Sequence, residues 1–347
     1  MAVTISADGR ELVFELADRA RLLAGVRLIE EVGLGGPLAF IRTPNGWRLT
    51  LARPEVLRME YLFEVEDHNG HRSTIPDPEN DCRAGGAFGD KSVAEFPGYT
   101  PPKWLQDVPA PGRSTKLEVP VADLAGPVMA TVWTPDHLDD DDTPAPAVLV
   151  HDGPEYARLG GIAHHLAVLI AEKLVPPLRA VLLDPGDRND WYAANPAYAA
   201  ALCGPVIAAL PPATARVGVG VSLGALAMLQ AHRRHPGTFA GLLLQSGSFF
   251  TPELDPQEAN FSRFREVSGF VAEVAAAGDD PSPVPTVITC GTVEENLANN
   301  EAMAAQLRRL GYPVTLVRDR DAHNYTAWRD ALHPHLANLI EAVTRAA

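Results

Sequence analysis

The segment Val217-Gly218-Val219-Gly220-Val221-Ser222-Leu223-Gly224-Ala225 holds a serine with a glycine two residues away on either side. A G-x-S-x-G run carries chemical meaning when a strand enters it and a helix leaves it. The serine then sits on a strained turn where side chains at the flanking positions would clash. Both conditions hold here: Val217–Val221 is an apolar strand-like run, and Ala225 to Arg234 reads as a helix stopped by Pro236. The pattern alone is equally that of a glycine-rich turn without chemistry, so a base must be found, because a serine hydroxyl is a poor nucleophile until its proton is taken. In the fold that uses this turn, an acid and then a histidine follow the serine along the chain. Of the 11 histidines, only His323 comes directly after a last strand, Val314–Val317, in the run Asp321-Ala322-His323-Asn324-Tyr325. The acid belongs after the preceding strand, Thr286–Cys290, where the chain reads Gly291-Thr292-Val293-Glu294-Glu295-Asn296. Glu294 is first in line. Glu295 is the alternative, better suited to the first turn of the next helix. His232 and His235 read as surface cations near the end of the helix after Ser222, and His164 and His165 as helix-surface residues.

These residues need a framework. From about residue 115 short apolar runs at 147–150, 180–183, 217–221, 242–244, 286–290 and 314–317 alternate with helical stretches. The stretches cover 161–173, 196–209, 223–234, 264–277, 295–310 and 327–345. Continuous apolar strands with helices between them predict a parallel sheet covered on both faces. The first hundred residues differ. Trp47–Leu51 and Met59–Val65 are strand-forming, loops at 44–46, 68–70 and 76–78 separate such runs, and only Ala17 to Leu28 suggests a helix. A small β-sandwich fits residues 1–105. Prolines 97, 101, 102, 109 and 111 then mark a stiff linker, placed at 106–114, before a catalytic domain over 115–347. The glycine-rich segment Asn80 to Phe96 reads as a long irregular loop of the kind that shapes an entrance to a site.

With 44 acidic and 29 basic residues the net charge is −15, which repels phosphate backbones and anionic lipid alike. No run of about 18 apolar residues predicts a membrane span, and the first residues show no basic stretch followed by an apolar one. The three cysteines, Cys82, Cys203 and Cys290, are scattered and odd in number, so neither a disulfide framework nor a metal spacing is expected. The expectation is a cytoplasmic protein acting on a small molecule. The acidic run Asp139–Asp142 lacks the spacing of a calcium loop and reads as a solvated turn.

The chain resembles the enterochelin (ferric siderophore) esterase-like family, within the esterase-D-like group of α/β-hydrolases. The likeness rests on Leu149-Val150-His151-Asp152-Gly153, on Leu183-Asp184, and on Asp187-Arg188-Asn189-Asp190 with Asn195. It extends through the Ser222 segment, Gln245-Ser246-Gly247-Ser248-Phe249, and His323 with Trp328-Arg329. Glu60-Tyr61-Leu62-Phe63 and Asp77-Pro78-Glu79-Asn80 resemble the immunoglobulin-like module that precedes such esterases. The chain departs from the family pattern at Asp321-Ala322, where two glycines are usual, at Asp190, where glutamate is commoner, and at Pro154.

The resemblance implies an α/β-hydrolase fold preceded by an immunoglobulin-like β-sandwich, and a serine esterase with Ser222, His323 and Glu294 as triad. It needs no cofactor and no metal. The oxyanion donors expected are the N–H groups of Leu223 and Glu155, and the substrate contacts Tyr156, Arg188, Trp191 and Trp328. Two rivals use the same sequence features: an acyltransferase with the same triad, and a binding module with a vestigial site.

Overall fold

The computed structural model describes residues 3–6, 8–138 and 142–346; most of the acidic run Asp139–Asp142 lies outside them. The chain divides into two compact units. The first comprises Met1–Thr100 together with two short distant segments, Gly291–Glu294 and Arg320–Tyr325; the second holds the remainder. The sequence boundaries therefore cut the chain differently from its packing, because the Glu294 and His323 loops belong to the first unit.

The first unit is built of antiparallel strands whose side chains alternate between core and solvent. The strands are β1 (Val3–Ile5), β2 (Glu11–Ala17), β3 (Leu23–Glu30), β4 (Ile41–Thr43), β5 (Gly46–Ala52), β6 (Arg58–Asp67), β7 (Arg72–Ile75), β8 (Arg83–Ala84) and β9 (Lys91–Glu95). One sheet has the order β1-β2-β5-β4 and the other β3-β6-β9-β8, with β7 also on β6. In β2, Leu12, Phe14 and Leu16 point inward at alternate positions and their neighbours outward, the two-residue period of a half-buried strand. Phe14 meets Tyr61 of the facing sheet edge-on at 5.1 Å, and both belong to one core with Phe40, Phe63 and Phe96. The helix suggested over Ala17 to Leu28 does not form. Leu23–Glu30 is a strand, because pairing with β6 buries Val26 and Leu28 at the two-residue period. Nor is Asn80 to Phe96 irregular throughout, since it contributes β8 and β9 to the second sheet.

The second unit carries an eight-stranded mixed sheet in the order β10-β11-β13-β12-β14-β15-β16-β17. The strands are β10 (Gly112–Val119), β11 (Val128–Pro135), β12 (Ala145–Val150), β13 (Arg179–Leu183), β14 (Ala213–Val221), β15 (Gly241–Gln245), β16 (Thr286–Gly291) and β17 (Val314–Asp319). The antiparallel pair β10 and β11 starts inside the expected linker, so the proline-rich passage is shorter than its composition suggests. From β13 to β16 the pairing is parallel. The helices are α1 (Gly153–Gly160), α2 (Ile162–Ala171), α3 (Arg188–Trp191), α4 (Pro196–Ala201), α5 (Ile207–Ala209), α6 (Leu223–Arg234), α7 (Phe264–Ala276), α8 (Leu297–Arg309), α9 (Tyr325–Asp330) and α10 (His335–Ala346). The single helix expected over 327–345 is two, because Pro334 has no N–H to continue the first and its ring would crowd the preceding turn.

Glycines show how the layers close. A Cβ on Gly218 of β14 would lie 2.5 Å from Met228 of α6, and one on Gly241 of β15 would lie 2.9 Å from Leu339 and Val343 of α10. Gly241 is paired with Val217, the neighbour of Gly218, so α6 and α10 cover opposite faces of the sheet. This is the α/β-hydrolase arrangement. Among the described residues no helix is long and apolar enough to cross a membrane, and no cluster of three or more His, Cys, Asp or Glu side chains is placed to hold a metal.

Several histidines lie in this interior. His151 bonds the Gly224 carbonyl through Nδ1 at 2.8 Å and the Tyr198 hydroxyl through Nε2 at 2.9 Å. The carbonyl accepts only, so the proton sits on Nδ1 and Nε2 takes the hydroxyl hydrogen. Burial pushes the His151 pKa down to about 4 and that of His165 to about 3. His232, expected at the surface, is also buried and lowered by burial. A lowered folded-state pKa means that stability is present above the ordinary histidine value near 6.5 and is lost as pH falls toward the folded value. For His151 that amounts to about 3 kcal/mol between pH 7 and pH 4. Urea midpoints should therefore fall steadily below pH 6.5. His151→Asn, which keeps a donor toward Gly224, should flatten that slope; an unchanged slope would remove His151 as its source.

Candidate active site

Ser222 is the joint between β14 and α6. Its backbone has φ 54° and ψ −125°, a region that residues with side chains seldom enter. Backbone hydrogen bonds hold it there. Its N–H donates to the Gln245 carbonyl at 2.9 Å, and its carbonyl accepts from the N–H groups of Ala225 and Ser248, both at 3.1 Å. The glycines of the motif are required sterically. A Cβ on Gly220 would stand 2.3 Å from the Gly224 carbonyl oxygen, and one on Gly224 would stand 3.0 Å from the His151 Cβ. The Ser222 hydroxyl lies 3.2 Å from that of Ser248, which is buried and was not singled out from sequence. Leu223 is the first residue of α6, so its N–H belongs to the unsatisfied, positive end of a twelve-residue helix.

In the first unit Glu294 and His323 are joined. His323 Nδ1 is 2.8 Å from one Glu294 carboxylate oxygen, and the other accepts from the Gly291 N–H at 2.7 Å. A carboxylate only accepts, so it fixes the imidazole proton on Nδ1. The Glu294 side chain is 1% exposed and that of His323 36% exposed, so the acid is sealed and the base is accessible. Gly291 has no room for a side chain, since a Cβ there would meet the Asp321 carbonyl oxygen at 2.2 Å. Glu295, the competing acid, is exposed. Beneath the histidine loop lies a buried ion cluster centred on Arg58, a residue that sequence reading passed over.

The residues expected to line a substrate pocket divide. Arg188 Nε and Nη2 donate to the two carboxylate oxygens of fully buried Asp152 at 2.8 and 2.9 Å. The internal partner is thus Asp152, while Asp190 pairs with Arg263 and Asn195. Trp191 is interior and not a wall: it is 3% exposed, stacked on Tyr198, and covers Gly186, where a Cβ would lie 2.2 Å from its ring. Tyr156 is likewise buried, its hydroxyl bonded to Gln245 and to the Trp328 carbonyl. Trp328 donates its indole N–H to Ser246 at 2.9 Å and is almost wholly covered. Large aromatic rings with one polar atom serve as well to anchor a core as to line a cleft, and here they anchor. Glu155 stands half-buried in the first turn of α1, after Pro154.

No protein-family model matches the sequence, and no relative is found among curated proteins. Solved structures do match. Ferric enterobactin esterase from Salmonella typhimurium superposes with a TM-score of 0.80 at 20% identity, over 99% of this chain and 97% of that one. Enterobactin esterase from Shigella flexneri, in the presence of 2,3-dihydroxy-N-benzoyl-glycine, gives 0.74 at 20% identity over 96% and 93%. A ferulic acid esterase gives 0.54 at 17% identity, over 67% of this chain and 98% of that one. At these identities the likeness establishes a shared fold.

The steric reading of the turn is tested by Gly220→Ala. It should lower unfolding free energy by about 3 kcal/mol, since nothing near the added methyl is a flexible side chain end. Gly204→Ala, where a Cβ meets nothing within 4 Å, is the control and should change it by less than about 0.5 kcal/mol. Equal urea midpoints for the two variants would contradict this.

Proposed function

We propose that this chain is a serine carboxylic ester hydrolase of the enterochelin esterase-like kind, with Ser222 as nucleophile, His323 as base and Glu294 as the acid that orients it. The observation that carries the reading is the Glu294–His323 pair: a sealed carboxylate bonded to one nitrogen of an accessible imidazole. That is the arrangement a general base needs, because the carboxylate holds the tautomer and stabilises the imidazolium that forms. The strained backbone at Ser222 supports it, as does chain order. Ser222 leaves the end of β14, Glu294 follows β16, and His323 follows β17. Loops beyond the carboxyl ends of parallel strands are where such folds assemble sites.

In this reading Ser222 Oγ attacks the ester carbonyl carbon while His323 Nε2 accepts its proton. The tetrahedral oxyanion is met by the N–H of Leu223, at the helix end, and by that of Glu155. Collapse expels the alcohol, protonated by His323. Water, deprotonated by the same nitrogen, then cleaves the acyl-enzyme and restores Ser222. The chemistry asks for no metal and no organic cofactor. Arg188, held by Asp152, is the candidate to meet an anionic or phenolate oxygen of the substrate. The full-length likeness to enterobactin esterases favours a bulky, siderophore-type ester; the first unit then corresponds to the immunoglobulin-like module of such enzymes.

Ser222→Ala and His323→Ala should each lower kcat on activated esters by about 10³-fold or more while leaving the fold intact, because members of a triad act as a unit. A fluorophosphonate should label Ser222 and no other residue. Near-full turnover by folded Ser222→Ala would end the proposal. Comparing kcat/KM for a siderophore trilactone, a hydroxycinnamoyl ester and an acetylated sugar would settle the substrate class.

A further inference from the structure

Strand β6 alternates in an unusual way. Met59, Tyr61 and Phe63 face the apolar core, as a sandwich strand requires, but Arg58 and Glu60 on the opposite face are also buried, at 1% and 3% exposure. Two charges two residues apart on a strand stand side by side, and a buried charge needs a partner. Arg58 Nη2 donates to Glu60 at 2.7 Å. Its Nη1 donates to Asn324 Oδ1 at 3.0 Å and to Asp321 at 3.3 Å. Asp321 and Asn324 bracket Ala322 and His323 in the chain. The second Asp321 oxygen accepts from the Ala322 N–H at 2.8 Å and from the Asn324 side chain at 3.3 Å. The same loop is stitched to the start of β6 by the backbone: the Leu57 N–H donates to the Arg320 carbonyl at 2.8 Å, and Arg320 Nε to the Glu55 carbonyl at 3.2 Å. Ala322 is packed into the apolar core of this unit. Arg58 thus joins Glu60 of its own strand to both residues that bracket Ala322 and His323.

We propose that Arg58, on a strand some 260 positions away in sequence, is a positioning residue for His323: by clamping Asp321 and Asn324 it fixes the loop so that the imidazole meets Glu294 in one orientation. It rests on the proposed role of His323 but extends it, giving the first unit a part in catalysis. The departure from the family's two glycines before the histidine has a physical reason in this arrangement. Glycines leave the loop free, whereas Asp321-Ala322 ties it down, with one residue in the ion cluster and the next in the core. Burial pushes the Asp321 carboxyl up to about 6 although Arg58 works against that. A carboxylate held charged at neutral pH against its own burial is better explained by geometry than by stability. Lys91, which also pairs with Glu31, reaches Glu60 at 3.4 Å from the outer side.

The test uses the full chain with two variants, the double change Arg58→Gln/Glu60→Gln, which removes opposite charges together, and the near-isosteric Asp321→Asn. The first readout is independent of turnover: the downfield proton resonance of His323 Nδ1–H bound to Glu294. The second is kcat and KM for p-nitrophenyl acetate across pH. In a variant whose circular dichroism matches the parent, the resonance should broaden or vanish. In parallel, kcat should fall by about 10- to 100-fold with KM within about twofold, since a small misplacement of the base costs rate and not affinity. A folded variant with the parent's resonance and kcat overturns the proposal. If the double variant does not fold, Asp321→Asn decides by the same two readouts. Should the parent hydrolyse no ester, the esterase reading fails while the resonance still decides whether Arg58 orients His323.

Discussion

The backbone at Ser222 is the constraint from which the second unit follows. A non-glycine residue at φ 54° and ψ −125° costs about 1–3 kcal/mol and survives only where its surroundings over-determine it. Those surroundings can be named. Glycine at 220 lets the chain fold back against Gly224, whose own small size lets His151 and Asp152 approach. His151 then bonds the Gly224 carbonyl, and Tyr198 bonds His151. Asp152, fully buried, is neutralised by the two-pronged grip of Arg188. The strained turn is thus the top of a polar stack that runs down into the sheet, and each member fills a hydrogen-bonding need of the next.

The Glu294–His323 pair illustrates a second way of holding a reactive group. The turn at Ser222 is held by its own helix and strand. The pair sits in loops, and loops have no repeating hydrogen bonds to hold them. Rigidity comes instead from burying the acid, from spending its second oxygen on the Gly291 N–H, and from attaching the histidine loop to β6. Breaking a buried ion cluster by removing one member is costly, on the order of 3–5 kcal/mol, whereas removing opposite charges together is far cheaper. Such a cluster is weak as a source of stability but strict about geometry, which is what the proposed role of His323 as a base requires.

The aromatic residues expected around the site show how a plausible local reading fails. Trp191, Tyr156 and Trp328 follow the strands or helices that carry the candidate chemistry, and their types suit a binding wall. In the folded chain each is almost wholly buried, with Trp191 stacked on Tyr198 and the other two bonded to Gln245 or Ser246. Arg58 is the converse case. On a strand of period two it reads as a solvent-facing charge, and nothing in its neighbourhood signals that a loop about 260 residues later will cover it.

The sequence by itself determined the elements whose cause is local. The strand–serine–helix turn was legible because sterics demand glycines at 220 and 224. The strands β12 to β16 were legible because buried parallel strands are continuous apolar runs, β17 by its strand-forming stretch 314–317, and the places after β14, β16 and β17 singled out Ser222, Glu294 and His323 as candidates. Glu294 could be preferred to Glu295 by its distance from the strand end. What tertiary structure alone decided depends on contacts distant in sequence. Leu23–Glu30 became a strand through pairing with β6, against a helical reading of its surroundings. The pair β10 and β11 formed within and beyond a proline-rich passage because β10 pairs with β11 and β11 in turn with β13. The boundary between units was decided by packing, which placed Glu294 and His323 with the first hundred residues. A residue's burial, and hence whether its charge is solvated or must be paired, is set by what folds over it, and no local pattern around Arg58 or Asp321 encodes that.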